Sequence, residues 1–233
     1  MRIFQKGFNF GQDGPGNRLV YHLQGCNMKC IWCSNPEGIS GRGGRDYSVD
    51  DLFSECVRSR MMFFGGGGVT FTGGEATLQA GELKELLIRL KEAGIHTALE
   101  TNGTWPGLPG LLPWIDWLMM DVKHYDGEIL KKYTGMDNAL NRNNYREICR
   151  IKRQIHVRIP LINGINTRNP REFAAFLAVH ENPNAVFEFL PYHEYGKAKW
   201  TEDYQVTDGF ISKETLAEFY EAFESCGLKI IRT

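Results

Sequence analysis

The chain lacks several things, and each lack excludes something. No apolar run approaches the ~18–20 residues of a membrane-spanning helix, so no membrane span is expected. No charge sign dominates: 27 Lys and Arg face 28 Asp and Glu, a formal net charge of −1. That balance argues against a strongly electrostatic binder of nucleic acid or membrane surfaces. Residues 1–10 lack the apolar core of a secretory leader, and a cytoplasmic protein is expected. No repeat, low-complexity tract or long linker interrupts the 233 residues, and a single domain over 1–233 is expected, large enough to bury a core without staples. Cysteine is sparse, with six residues. In a reducing compartment they are expected to be thiols or metal ligands, not disulfides.

Glycine, by contrast, is abundant: 26 of 233 residues, where roughly 7% is usual. The glycine run 65–68 has neither the Lys-Ser/Thr of a Walker motif nor a G-x-G-x-x-G context. It reads as a flexible lead-in to a strand.

The apolar pattern alternates between periods of two and 3.6. Residues 18–24 read as a strand with Leu19, Tyr21 and Leu23 on one face. Ser48 opens a helix striped by Val49, Leu52, Phe53, Cys56 and Val57. Residues 69–72 are β-rich, and 82–93 form a helix with Leu83, Leu86, Leu87 and Leu90 inward and Gly94 at its end. Strands follow over 95–100 and 117–121, then a helix over 127–133. Residues 155–160 alternate Ile155, Val157 and Ile159 with His156 and Arg158. Asn169-Pro170 supplies the N-cap and first turn of a helix carrying Phe173, Phe176 and Leu177. A strand over 185–190, a helix over 212–226 and a weak strand over 228–231 complete the chain. Such alternation implies parallel strands joined by helical crossovers. Six or seven strands are too few for a closed eightfold barrel. A partial barrel and an open doubly wound sheet both satisfy the pattern.

Cys26, Cys30 and Cys33 follow the first of these strands with the spacing C-x3-C-x2-C. Structural zinc sites take four closed ligands, usually from two C-x2-C pairs, and a second pair is missing here. Three thiolates on a four-iron cluster leave one iron open to a ligand. A zinc site or a chance grouping is the duller alternative. Cys56, Cys149 and Cys226 lie apart and read as small buried hydrophobes.

With Trp32 in the aromatic position before the third cysteine, this spacing resembles the signature of the radical S-adenosylmethionine (SAM) superfamily. More narrowly, Asp13-Gly14-Pro15-Gly16, Arg18 and Gln24-Gly25-Cys26 resemble the opening of the glycyl-radical-enzyme activating enzymes. The resemblance runs on in order through Gly73-Gly74-Glu75, Glu100-Thr101-Asn102-Gly103, Asp121-Val122-Lys123, Arg158, Leu190-Pro191-Tyr192-His193-Glu194 and the run Tyr195 to Trp200. It implies a partial (β/α)6 TIM-like barrel, with parallel strands inside and helices outside. Only Cys56 lies between the triplet and Gly73, so no ferredoxin-like insert is expected, although Cys33-Ser34-Asn35-Pro36-Glu37 looks more like the insert-bearing relatives.

The resemblance also implies an oxidoreductase activity. SAM would be cleaved reductively, and the resulting 5′-deoxyadenosyl radical would take a hydrogen from a glycine Cα of a partner glycyl radical enzyme. The alternative is a radical SAM enzyme acting on a small molecule. The cofactors implied are one 4Fe-4S cluster on Cys26, Cys30 and Cys33, and SAM, with flavodoxin or ferredoxin as the electron donor. SAM contacts would come from Trp32, Cys33, Ser34, Gly73, Gly74, Glu75, Thr101, Asp121, Val122, Lys123, Arg158 and His193. A monovalent cation would sit with Glu100, Thr101, the Met119 backbone and Asp121. Glu100 departs from the aspartate the relatives place there. Asp13 would border the place where the partner peptide comes in.

Position supports this reading without the family name. The cysteines, Gly73-Gly74-Glu75, Thr101-Asn102, Asp121 with Lys123, Arg158 and His193 each follow, or lie near the end of, an expected strand, the rim where α/β sites assemble. Taken singly, the residues have blander uses. Gly73 and Gly74 could simply turn the chain. Glu75 could be a solvated charge at a helix start, and Asp121 with Lys123 a strand-end ion pair. Arg158 could be solvated or ion-paired, and His193 a cap or a satisfied core histidine.

Overall fold

A computed structural model describes residues 1–232, and the chain divides into two compact units. The first comprises residues 1–27, 35–101 and 107–119. Its strands are β1 (Arg2–Phe10), β2 (Asn17–Leu23), β3 (Arg45–Asp46), β4 (Gly68–Gly73) and β5 (Thr97–Thr101), and its helices are α1 (Val49–Arg58) and α2 (Ala80–Glu92). β2, β4 and β5 are parallel, with Leu23 beside Gly73 and Phe71 beside Leu99. β1 runs antiparallel to β2, and β3 antiparallel to β1, so the expected all-parallel arrangement fails at this edge. β1 escapes sequence detection because most of its residues are exposed, leaving no alternating apolar face to read.

Both helices form where their stripes fall. The Ser48 hydroxyl caps α1 by accepting from the Asp51 N–H at 3.0 Å. Leu52 and Cys56 are buried, but Val57, read as part of the stripe, is exposed. Leu83, Leu86, Leu87 and Leu90 of α2 are all fully buried. The glycine lead-in to β4 is a hydrogen-bonded turn, with the Phe64 carbonyl accepting from Asn17 and Gly67.

β6 (Trp117–Asp121) spans the division between the units. The second unit comprises, among the described residues, 28–34, 102–106 and 120–232. It holds α3 (Gly127–Thr134), α4 (Ala139–Arg150), β7 (Ile155–Leu161), α5 (Pro170–Ala178), β8 (Ala185–Pro191), α6 (Lys213–Ser225) and β9 (Ile230–Ile231). β7, β8 and β9 are parallel neighbours. β3 and β9 each have a single neighbour and are edge strands, so the sheet is open. The second unit's core includes an aromatic cluster: Phe223 meets Phe189 edge-on at 4.8 Å and Phe187 at 5.8 Å, and Phe173 and Phe219 pack on the same cluster.

The sequence pattern misses α4. Its inner face carries Asn141 and Asn144, both buried, where an amphipathic helix would carry leucine. Their amides are matched: Asn141 donates to the carbonyls of Asn102 and Asp121 at 2.7 and 2.9 Å, and Asn144 to those of Gly103 and Trp105 at 2.8 Å each. Asn169 stands at the N-cap position of α5 but makes no side-chain cap. Its amide instead reaches the Tyr125 hydroxyl and Glu172. Cys56 and Cys149 are buried as expected, whereas Cys226, just past α6, is exposed. No helix among the described residues is long and apolar enough to cross a membrane.

Candidate active site

In the first unit, the end of β2 is clamped by backbone. The Gly25 N–H donates to the Gly38 carbonyl at 2.9 Å, and its own carbonyl accepts from the Glu75 N–H at 2.8 Å. Cys26 donates to the Ile39 carbonyl at 3.1 Å. The buried Gln24 side chain donates to the Glu37 and Ser40 carbonyls at 2.8 and 2.6 Å. The base of the cysteine loop is thus tied to the segment that leaves it.

Gly73 and Gly74 are required by the chain itself. A Cβ on Gly73 would fall 2.2 Å from the Leu23 nitrogen, and one on Gly74 2.2 Å from the Gly25 carbonyl oxygen. Gly73 also has φ +127°, which side chains rarely adopt. The close approach that their missing side chains permit is therefore to the end of β2.

Glu75 is 1% exposed, so it is no solvated helix charge. One carboxylate oxygen accepts from the Thr77 N–H, the Thr77 hydroxyl and the Thr101 hydroxyl at 3.0, 2.6 and 2.7 Å. Thr101 closes β5, and beside it Glu100 accepts from the Thr72 hydroxyl at 2.6 Å. Met119, on β6, is buried. The Asp13 carboxylate takes the Asn9 amide, and its carbonyl accepts from the Thr70 hydroxyl at 2.7 Å.

In the second unit, the rest of the cysteine loop is seated on α3 and on the segment after β8. Lys29 and Ile31 donate to the Thr134 and Tyr133 carbonyls at 2.7 and 3.2 Å. Cys33 turns back onto the Cys30 carbonyl at 3.0 Å. Trp32 and Ile31 pack on a small core of Ile162, Tyr192 and Val206.

The pair read as a strand-end ion pair is one: Lys123 Nζ stands 2.5 Å from Asp121. Arg158 Nε reaches the other Asp121 oxygen at 3.3 Å, so two cations share one carboxylate. Burial works against the Asp121 charge, but Lys123 and Arg158 outweigh it and hold the carboxyl below the usual range. Lys123 is raised despite burial, first by Asp121 and next by the Cys30 thiol. Val122 is buried between them in sequence and donates to the Arg158 carbonyl at 2.9 Å.

Arg158 is the fourth of seven residues in β7, mid-strand and not near its end as expected. The expected alternation holds, with Ile155, Val157 and Ile159 buried and Arg158 on the opposite face. His193, two residues past β8, is exposed, so it is no satisfied core histidine. Its Nδ1 accepts from the Tyr195 N–H at 3.3 Å, and its ring stacks on that of Tyr195 at 4.3 Å.

His124 was not picked out from sequence, because nothing marks a lone histidine after a lysine. It is buried, and its Nδ1 accepts from the Asp126 N–H at 2.8 Å, which needs that nitrogen deprotonated. Burial depresses its pKa; burial and then Arg18 do the same for His96. A group depressed on folding stabilises the fold above its unfolded value and loses that contribution as pH falls. The chain is therefore expected to lose stability as pH drops below about 6.5, by roughly 1.4 kcal/mol for each pKa unit of depression per histidine. Urea midpoints compared between neutral and mildly acidic buffers test this, and identical midpoints would refute it.

Three thiols on one loop suit an iron–sulfur cluster. None of them is in a disulfide. Among the described residues, no three His, Cys, Asp or Glu side chains stand close enough to hold a single metal ion. A four-iron cluster instead takes each thiolate on a different iron.

Residues 20–177 match the model of the Radical SAM superfamily. The chain is 33% identical over 231 residues to the pyruvate formate-lyase 1-activating enzyme of Escherichia coli (strain K12), covering 94% of this chain and 93% of that one. It is 34% identical over 204 residues to the pyruvate formate-lyase-activating enzyme of Clostridium pasteurianum, covering 84% and 85%. Among solved structures, a domain of pyruvate-formate lyase-activating enzyme from Bacteroides vulgatus superposes with a TM-score of 0.61 at 27% identity, over 71% of this chain and 98% of that one. Streptococcus suis SuiB shares the fold at a TM-score of 0.70 and 14% identity, over 91% of this chain and 48% of that one. The open, mostly parallel sheet with these neighbours bears out a partial TIM-like barrel.

Proposed function

The chain belongs to the radical SAM superfamily, and we propose that it is the activase of a glycyl radical enzyme of the pyruvate formate-lyase kind. The observation that carries this reading is the C-x3-C-x2-C loop after β2, in a chain alike to pyruvate formate-lyase activating enzymes over nearly its full length. Cys26, Cys30 and Cys33 would hold one 4Fe-4S cluster. The chemistry supplied when cluster and SAM are bound is one-electron cleavage of SAM to methionine and a 5′-deoxyadenosyl radical, which takes a hydrogen atom from a glycine Cα and leaves as 5′-deoxyadenosine.

The chain's own part is binding and orientation. Lys123 and Arg158 present an ammonium and a guanidinium around Asp121, donor types that suit the carboxylate of an amino-acid ligand. The backbone around Gly74, fixed as described, is assigned to the ligand's amine. Flavodoxin or ferredoxin is the electron donor this reading implies.

The test is anaerobic incubation of the reconstituted, reduced protein with SAM and a purified glycyl radical enzyme. The expected result is 5′-deoxyadenosine together with a glycyl-radical doublet on the partner by electron paramagnetic resonance. Cleavage of SAM without a radical on any such partner would favour a small-molecule substrate. No cleavage at all would end the proposal.

A further inference from the structure

The run Tyr195 to Trp200 is so far without a use. It leaves β8 and returns onto the second half of the cysteine loop. The indole N–H of Trp200 donates to the Cys33 carbonyl at 3.0 Å. Gly196 is buried against Ser34: a Cβ there would stand 2.5 Å from the Ser34 Cα and 2.6 Å from its carbonyl oxygen. The Trp200 ring lies edge-on to Tyr204 at 5.6 Å, and Tyr204 is bonded to the Tyr192 hydroxyl at 2.9 Å. The turn that carries Trp200 is closed by its N–H donating to the Lys197 carbonyl at 3.2 Å. Packing and backbone together therefore fix the direction of the indole.

These contacts bear on one residue. The Cys33 N–H is held by the Cys30 carbonyl at 3.0 Å and its carbonyl by Trp200. With both peptide planes of Cys33 pinned, the χ1 torsion is what remains between backbone and sulfur, and it has three staggered settings. A donor aimed at a carbonyl is worth little as net stability, yet it decides where the attached side chain points.

Resting on the reading of Cys33 as a cluster ligand, we propose that Trp200 is a positioning residue. Its indole N–H, together with the seat of Gly196 on Ser34, holds the Cys33 backbone so that the thiol is presented to the cluster.

Trp200→Phe tests this, because it keeps an aromatic ring against Tyr204 while removing the N–H donor together with part of the indole. Tyr204→Phe is the control: it removes the bond to Tyr192 within the same strap and leaves the hold on Cys33 intact. In the reconstituted protein, iron and sulfide per chain and the rate of cluster loss in air are measured. In the cluster-free chain, alkylation of Cys26, Cys30 and Cys33 is followed separately by peptide mass spectrometry. Trp200→Phe is expected to take up the cluster but lose it about fivefold faster, and to alkylate at Cys33 about fivefold faster relative to Cys26. Tyr204→Phe is expected to behave as wild type in both. Wild-type rates in Trp200→Phe would overturn the proposal, as would equal acceleration at all three cysteines in both variants. Should Trp200→Phe fail to fold, Gly196→Ala displaces the strap from Ser34 and carries the same expectation. A wild-type chain that takes up no iron would refute the cluster reading, and the Cys33 alkylation ratio would still decide whether Trp200 holds that residue.

Discussion

Replacing Cys26, Cys30 and Cys33 together with alanine is expected to lower 5′-deoxyadenosine formation to background, a loss of at least about a thousandfold. The reasoning is one of supply. The electron that splits the sulfonium has to pass through a redox centre, and no side chain of this chain substitutes for one. Iron and sulfide should fall to background in the same variant. The matched control replaces Cys56, Cys149 and Cys226, none of which lies in the loop. That variant should keep its iron and its SAM cleavage. It should cost about 1 kcal/mol at each of the two buried positions, since each exchange leaves only a small void. Undiminished SAM cleavage in the loop variant would refute the assignment, and loss of iron in the control would place the ligands elsewhere.

Arg18→Ala is expected to destabilise the fold by about 3–5 kcal/mol, a large share of the roughly 5–15 kcal/mol typical of a domain. Arg18 is fully buried on β2. Its Nε donates to the Thr70 hydroxyl at 2.6 Å, and its two terminal nitrogens donate to the Pro15 and Val69 carbonyls at 3.0 and 2.8 Å. Burial pulls its pKa down to about 10, so it stays charged at neutral pH. Truncation strands two buried acceptors and a half-buried one, and opens a void. It also frees the Asp13-to-Gly16 turn, whose Pro15 carbonyl it holds. Arg18→Lys should rescue little, because a single ammonium cannot span three acceptors that a planar fork reaches. Urea unfolding at neutral pH measures both variants. A loss under about 1 kcal/mol in Arg18→Ala would refute the account.

Where apolar residues did the packing, the elements were legible. Leu83, Leu86, Leu87 and Leu90 announced α2, and Ile155, Val157 and Ile159 announced β7, because burial selects one face and leaves its period in the sequence. β1 was hidden because its exposed residues record no face. α4 was hidden because asparagines occupy its inner face. Among the site residues, order along the chain placed the Gly-Gly-Glu, Thr101 and Asp121 motifs at strand ends. Their partners were not legible. Nothing in Gly73-Gly74-Glu75 says that the glycines make room for the end of β2, or that Glu75 collects three donors from Thr77 and Thr101. Arg158 lies one residue further from its strand's end than expected, because β7 runs on through Leu161.

The asparagines of α4 have one more consequence. The carbonyls of Asn102, Gly103, Trp105 and Asp121 lie where strands end and chains usually loosen, and each is already bonded to Asn141 or Asn144. A loop ordered in advance does not subtract its ordering entropy from the affinity of whatever docks there. Leucines at these two positions would give α4 a tidier amphipathic pattern, yet they would leave those four carbonyls without the donors that order them.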